Sequence, residues 1–148
     1  MVEHSNLPII GWREWLSLPD LKIPEIKAKI DTGARSSALH AFEVEVFEQQ
    51  TRPLVRFKVH PHQHNSADII AVEAELLEMR SVRDSGGHEQ LRPVIKTVVV
   101  LGQHQWPIEL TLTNRDVMGF RMLLGRQAVR RRFLIDSSQS YLQGSAPR

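Results

Sequence analysis

Cysteine is absent from the 148 residues. Disulfides and thiol nucleophiles are therefore excluded, and the redox state of the compartment is left open. Excess charge is scarce as well: 19 basic against 17 acidic residues leave only +2, too little by itself to argue for nucleic acid. No apolar run approaches the ~20 residues of a membrane span. The opening MVEHSNLPII has neither the basic start nor the long apolar run of a signal peptide, so the cytoplasm is the expected compartment. The helical zinc-protease pattern H-E-x-x-H is missing. HEQLR supplies His88 and Glu89 but has Arg92 where the second imidazole is needed, and Pro93 follows. The phosphate loop G-x-x-x-x-G-K-[ST] is missing too, and RDSGGH has neither its Lys nor its length, so nothing supports ATP dependence.

What is present suits one folded domain with a real core: 41% hydrophobic and 24% charged residues. Most of the chain alternates with the period of a strand. IPEIKAKID sets Ile26, Ala28 and Ile30 against Glu25, Lys27 and Lys29. FEVEVF places Phe42, Val44 and Val46 on one face, and LVRFKVH does the same with Val55, Phe57 and Val59, with EQQTRP as the hairpin loop between them. VIKTVVVL reads as a buried strand. GQHQ turns the chain into WPIELTLT, FRMLLG alternates again, a short helix is expected over Arg126 to Arg132, and FLID closes as a strand. Trp12 and Trp15 in the strand-like IIGWREWLSL are the expected packing anchors. Residues 69 to 83 have helix-forming composition, with apolar positions 69, 72, 76 and 79 on one helical face. The spacing of their neighbours nevertheless favours a strand leading into a hairpin at RDSGGHEQ. The expected division is a flexible N-terminus over 1–8, one domain over 9–136, and a flexible tail over 137–148.

The informative stretch is KAKIDTGARSSALHA, where an apolar strand runs straight into Asp31, Thr32 and Gly33. A carboxylate at the end of a buried strand is costly to ionise without partners. Gly33 lets the backbone turn tightly and present amides, Thr32 offers a hydroxyl, and Asp31 can then be oriented by backbone donors. Asp, Thr and Gly are also ordinary turn formers, so the triplet alone does not decide between structure and chemistry.

IDTGARSSAL resembles the active-site loop of aspartic proteases, and MLLGR resembles the hydrophobic-hydrophobic-Gly segment packed beneath that loop in retropepsins. Together with GWREWLSLPDLKIPEIKAKIDTGARSSALHA, VRDSGGHEQLRPVIKT and WPIELTLTNRDVMGFRMLLGR, the chain from about Ile9 to Asp136 resembles a bacterial family. That family was long labelled ATP-dependent zinc proteases and is now regarded as retropepsin-like. It is associated with the ligase that adds glutamates to a small-subunit ribosomal protein. The resemblance implies a mainly β fold, a closed antiparallel retropepsin-like barrel with one short helix. It implies an aspartic endopeptidase with Asp31, Thr32 and Gly33 as the catalytic loop. Ala34, Arg35, Arg83, Ser85, Gly86 and Gly87 would contact a peptide or protein substrate, with no metal and no cofactor, no direct nucleic acid and no membrane. Two carboxylates must share a proton in that chemistry, and one DTG per chain implies a homodimer.

Other residues admit a plainer account. The DSG at Asp84 to Gly86 lacks a preceding apolar strand and reads as a hairpin tip, the flap in the retropepsin order. Asp116 and Asp136 read as turn and strand-end residues. His60, His62 and His64 could ligate a metal on a strand, but Pro61 favours an exposed loop. His40 either faces the site or is a satisfied histidine of the core or surface. Arg126, Arg130, Arg131 and Arg132 read as a solvated helix face, whereas Arg35, Arg83, Arg92, Arg115 and Arg121 are better placed for an acidic substrate. The function from another class is a non-catalytic barrel that binds an acidic peptide or a ribosomal partner.

Overall fold

Six strands close into a barrel around the side chains that the period-two pattern singles out. The computed structural model describes residues 6–62, 68–84, 86–115, 117 and 119–144. The strands are β1 (Ile9–Gly11), β2 (Arg13–Leu18), β3 (Ile23–Asp31), β4 (Ser37–His40), β5 (Phe42–Gln49), β6 (Arg52–Val59), β7 (Ile70–Glu75), β8 (Glu78–Arg83), β9 (Glu89–Leu101), β10 (His104–Thr113), β11 (Met122–Gly125) and β12 (Leu134–Asp136). The helix α1 covers Arg126–Val129, shorter than the seven residues expected; Arg130 to Arg132 continue as a turn. The barrel runs β10-β4-β11-β3-β2-β9 and closes through the β9–β10 pair, with β8 as an added strand on β9.

Closure follows the expected plan, and its local directions add a detail that alternation does not carry. Two pairings within the barrel are parallel: β11 beside β3, and β10 beside β4. They arise because β11 lies between the two arms of the Asp31 loop, parallel to the arm entering it and antiparallel to the arm leaving it. Ile26, Ala28 and Ile30 of β3 point into the core with Leu39, Leu110, Leu112, Met122 and Leu124. β11 is buried along its whole length, rather than on alternate residues, because it is a central strand.

Residues 69–83 form strands rather than a helix. The chain bends at Leu76 and Leu77, so β7 joins a separate β5-β6-β7 sheet while β8 pairs with β9. In that small sheet β5 is an edge strand, and the face expected to be apolar is open: Val44 and Val46 are exposed. A register shift between Phe42 and Glu45 turns the strand there. Trp12 packs edge-on against Phe120 at 5.9 Å and Trp15 stacks on Tyr141 at 6.5 Å. None of the described helices is long and apolar enough to cross a membrane.

The polar residues after β12, expected to be flexible from composition, are held to the barrel as far as Gly144. β2 alternates inward through Glu14, Leu16 and Leu18, which buries Glu14 completely. Its carboxylate accepts four backbone N–H bonds. Gly11 and Leu142 donate to Oε2 at 2.7 and 2.8 Å, and Gln143 and Gly144 donate to Oε1 at 2.9 and 2.7 Å. A buried carboxylate is tolerated when its lone pairs are so occupied. The expected flexibility of residues 1–5 and 145–148 lies outside the described residues.

Candidate functional site

Asp31 is the last residue of β3, half-buried, where the apolar register of the strand meets the loop. Its Oδ1 accepts the amide N–H of Gly33 at 2.9 Å and of Ala34 at 3.3 Å. Oδ2 accepts none from the described residues. The carboxylate is therefore aimed by the backbone and keeps one oxygen free. A Cβ at Gly33 would lie 3.2 Å from Oδ1 of Asp31, close enough to press on the carboxylate, so glycine suits the position by proximity rather than by its dihedrals. Thr32 is exposed and its hydroxyl bonds to none of the described residues of this chain, while its carbonyl accepts Nη1 of Arg126 at 3.1 Å. Arg126 is thus part of the loop's support and not only a solvated helix residue.

The loop is seated on β11. A Cβ at Gly125 would come within 2.6 Å of the Ser36 carbonyl carbon and oxygen, so only glycine allows this approach. Gly125 N–H donates to Ser37 Oγ at 3.0 Å, Arg126 N–H to the Ala34 carbonyl at 2.7 Å, and Gln127 N–H to the Arg35 carbonyl at 3.2 Å. The first amides of α1 and the loop carbonyls satisfy one another. Thr111 on β10 adds a bond from Oγ1 to the Ser37 carbonyl at 2.9 Å. Ser37 and Thr111 escaped sequence reasoning. The adjacent serines after DTGAR carry no spacing signal, and Thr111 meets them only through the parallel β4–β10 pair.

Ala34 packs with Ala38, Leu123 and Val117 in a small apolar cluster on the outer side of the barrel wall. Beside it, a cleft of about 310 Å³ is walled by Ser36, Ser37, Arg80, Trp106, Gln127 and Arg132 among others, and does not include Asp31. Arg35 is exposed. Gly86 and Gly87 lie at the β8–β9 tip, Arg83 pairs with Glu89 at 3.4 Å on the hairpin face opposite Arg80, and Ser85 lies outside the described residues.

Asp84 is spent on the hairpin itself. Oδ1 accepts the amides of Gly86 and His88, each at 2.9 Å, and Oδ2 pairs with Arg115 at 2.7 Å. The His88 amide first, then that of Gly86 and the neighbouring positive charges, hold this carboxyl below the usual carboxylate range. Asp136 ends β12 and caps its own turn through Ser138, whose hydroxyl and amide hold its carboxyl low. Asp116 lies outside the described residues. His40 donates or accepts at both nitrogens, toward the Asn114 carbonyl at 3.2 Å and Arg121 at 3.3 Å.

His60 stacks on Phe42 and bonds the Asp68 carbonyl. His62 lies between two carboxylates, Glu25 at 2.7 Å and Asp68 at 2.9 Å, and the Glu25 bond foremost raises its pKa. His64 lies outside the described residues. Among the described residues no group of three metal-ligating side chains is arranged to hold an ion.

The family model described as RimB-like, retropepsin-like aspartic endopeptidase RimB, matches residues 9–146. A protein of Shewanella halifaxensis named probable alpha-L-glutamate ligase is 44% identical over 140 residues, covering 95% of this chain and 31% of that protein. One of Parasynechococcus marenigrum with the same name is 48% identical, covering 92% and 29%. The chain thus spans under a third of the length of these relatives. A solved structure from Legionella pneumophila, of unknown function, superposes with a TM-score of 0.74 at 28% identity, covering 92% of this chain and 98% of that one.

Proposed function

The chain belongs to the RimB-like family of retropepsin-like aspartic endopeptidases, and on that footing we propose that it hydrolyses peptide bonds through Asp31 carboxylates paired across a homodimer. The observation that carries the reading is the Asp31 carboxylate, aimed through Oδ1 by two backbone amides with Oδ2 free. Two such groups brought together by a two-fold axis share one proton, since like charges in contact do not both ionise. The ionised carboxylate takes a proton from water as the water oxygen attacks the scissile carbonyl, and the protonated one donates to the carbonyl oxygen. Collapse of the tetrahedral species returns a proton to the leaving amine. The exposed Thr32 hydroxyl and the exposed Ile9 and Leu134 on the β1–β12 pair are what the second copy would cover.

The substrate we propose is a glutamate-rich segment, as on a modified ribosomal protein in the cytoplasm. Its support is that a closely similar stretch is carried within longer proteins named as glutamate ligases. A peptidase of this reach would then act on the kind of chain such a ligase builds.

Asp31→Asn keeps size and shape but cannot act as the base. Cleavage of a glutamate-rich peptide should fall by roughly 10²- to 10⁴-fold or more with melting temperature unchanged. Excess Asp31→Asn chains mixed into wild type should poison activity through mixed dimers. Full activity in the variant ends the aspartic-peptidase reading, and peptide binding by wild type without any cleavage favours a binding module.

A further inference from the structure

Arg92 is 8% exposed and has no carboxylate partner among the described residues. Nε donates to Gln90 Oε1 at 2.9 Å and Nη1 reaches Thr111 Oγ1 at 3.5 Å, both neutral acceptors. Gln90 Oε1 is shared with the Thr113 hydroxyl at 3.2 Å. Nη2 donates to none of the described residues. A buried guanidinium usually has its anion beside it, because leaving it uncompensated costs several kcal/mol. Directly opposite, in register across β8 and β9, stands a second arginine, Arg80. Like charges opposite each other destabilise a sheet, yet the two are treated differently. Arg80 has two carboxylates, Glu78 and Glu109, the latter at 2.8 Å. Of the other nearby cations, Arg115 is paired to Asp84. Burial first, and the charge of Arg115 next, lower the pKa of Arg92, with Asp84 opposing.

The position of this cation relates it to the catalytic loop. Thr111 and Thr113 stand opposite Ala38 and His40 in the parallel pair, so they share the outward face that carries Ala38. Ala38 belongs to the apolar cluster with Leu123, Val117 and Ala34, the residue after the DTG. From Arg92 to the loop backbone there are two hydrogen bonds: Arg92 to Thr111, and Thr111 to the Ser37 carbonyl. The cleft behind the loop has in its wall both Ser37, whose carbonyl is bonded to Thr111, and Arg80, set opposite Arg92 in register; Arg92 and Thr111 themselves do not line it.

We propose that Arg92 is a specificity residue: its guanidinium receives the side-chain carboxylate of a substrate glutamate close to the scissile bond, the apolar cluster packing against the glutamate methylenes. The fork geometry of arginine suits a carboxylate. A neutral glutamine in the same place leaves the buried charge unmatched, which is a stronger basis for discrimination than size. This rests on the peptidase reading for its meaning, but its test does not need cleavage.

The experiment measures binding of α-linked tetraglutamate and tetraglutamine to the full-length Asp31→Asn protein by calorimetry, with and without Arg92→Gln. The Asp31→Asn protein should prefer tetraglutamate by roughly 10- to 100-fold. Arg92→Gln should bring the ratio close to one, and Arg92→Lys, which keeps charge but loses the fork, should fall between. Melting temperature separates the two roles: a cation kept for ligand has no buried carboxylate to abandon, and Thr111 keeps its bond to the Ser37 carbonyl, so Arg92→Gln should not lower it. No preference in the Asp31→Asn protein, or no binding of either peptide, overturns the proposal. So does an unchanged ratio with a lowered melting temperature in Arg92→Gln, which would make Arg92 a structural residue. Loss of cleavage in the Asp31→Asn protein tests the peptidase reading separately.

Discussion

Replacing Gly125 by alanine tests whether the Asp31 loop is seated on β11 as described. The added Cβ would stand 2.6 Å from the carbonyl carbon and oxygen of Ser36 and 3.1 Å from the Ala34 oxygen. Carbon atoms in contact prefer about 3.5–4.0 Å, so the gap must widen by roughly 1 Å. The obstruction is backbone, not the tip of a flexible side chain, and it is tied down. Arg126 N–H to Ala34, Gly125 N–H to Ser37 and Gln127 N–H to Arg35 all resist the shift. Overpacking of this kind costs about 1–3 kcal/mol, and weakening one buried hydrogen bond adds about 1 kcal/mol. The lower entropy of an unfolded alanine chain returns about 0.4–1 kcal/mol. The net loss is about 1–4 kcal/mol, which for a chain of this size lowers the melting temperature by about 3–12 °C. Moving the loop by about 1 Å should also reduce peptidase activity by about 100-fold. Thermal unfolding followed by circular dichroism, alongside peptide cleavage, reads both. A melting temperature within a degree of wild type would refute the claim that the loop rests on this strand.

Glu14→Gln replaces one acceptor oxygen with a donor amide facing N–H groups. It should cost about 2–4 kcal/mol and release the amides of Leu142, Gln143 and Gly144 to hydrogen exchange. Equal exchange of those amides in wild type would show that they are not held. His62 titrates above its ordinary value of about 6.5 because Glu25, then Asp68, stabilise its charged ring. Its contribution is therefore complete below about pH 6.5 and is lost as pH rises through the raised folded value. The stability difference between wild type and His62→Gln should shrink over that window in denaturation curves. A difference that is constant with pH would mean the pairs are not formed in solution. A strong metal chelator should leave cleavage unchanged, and loss of activity restored by zinc would instead place His60, His62 and His64 at the centre of the chemistry.

The barrel was legible because its core strands announce themselves: Ile26, Ala28 and Ile30 alternate in sequence and in burial alike. The DTG loop and the LLG beneath it were legible as a resemblance, and the family match covers them both. What stayed hidden involves backbone atoms and non-local pairs. The tail looks polar and loose, yet it is fixed through its amide hydrogens, which every residue has and no sequence pattern marks. Val44 and Val46 alternate like core residues, but alternation does not reveal whether a second sheet will cover them, and none does among the described residues. Arg92 stands out in the sequence as one of five arginines placed for an acidic substrate, and nothing in the pattern marks it or Gln90 as sheltered. The burial of Arg92 depends on β8 and β10 flanking β9, a pairing over tens of residues.

The clasp at Glu14 also makes the domain mechanically uneven. Tension applied through the C-terminal end does not reach the short β12 ladder first. It reaches the Gly144 and Gln143 amides on Oε1, the Leu142 amide on Oε2, and the Trp15 amide on the Gly144 carbonyl. The pull is thereby passed into β2, a strand of the closed barrel, and the clasp must peel residue by residue before β12 is loaded. Tension through the N-terminal end meets β1, joined to β12 by a three-residue parallel ladder. Held by its two ends, the molecule should yield first at the N-terminal ladder, before the barrel that carries Asp31 comes apart.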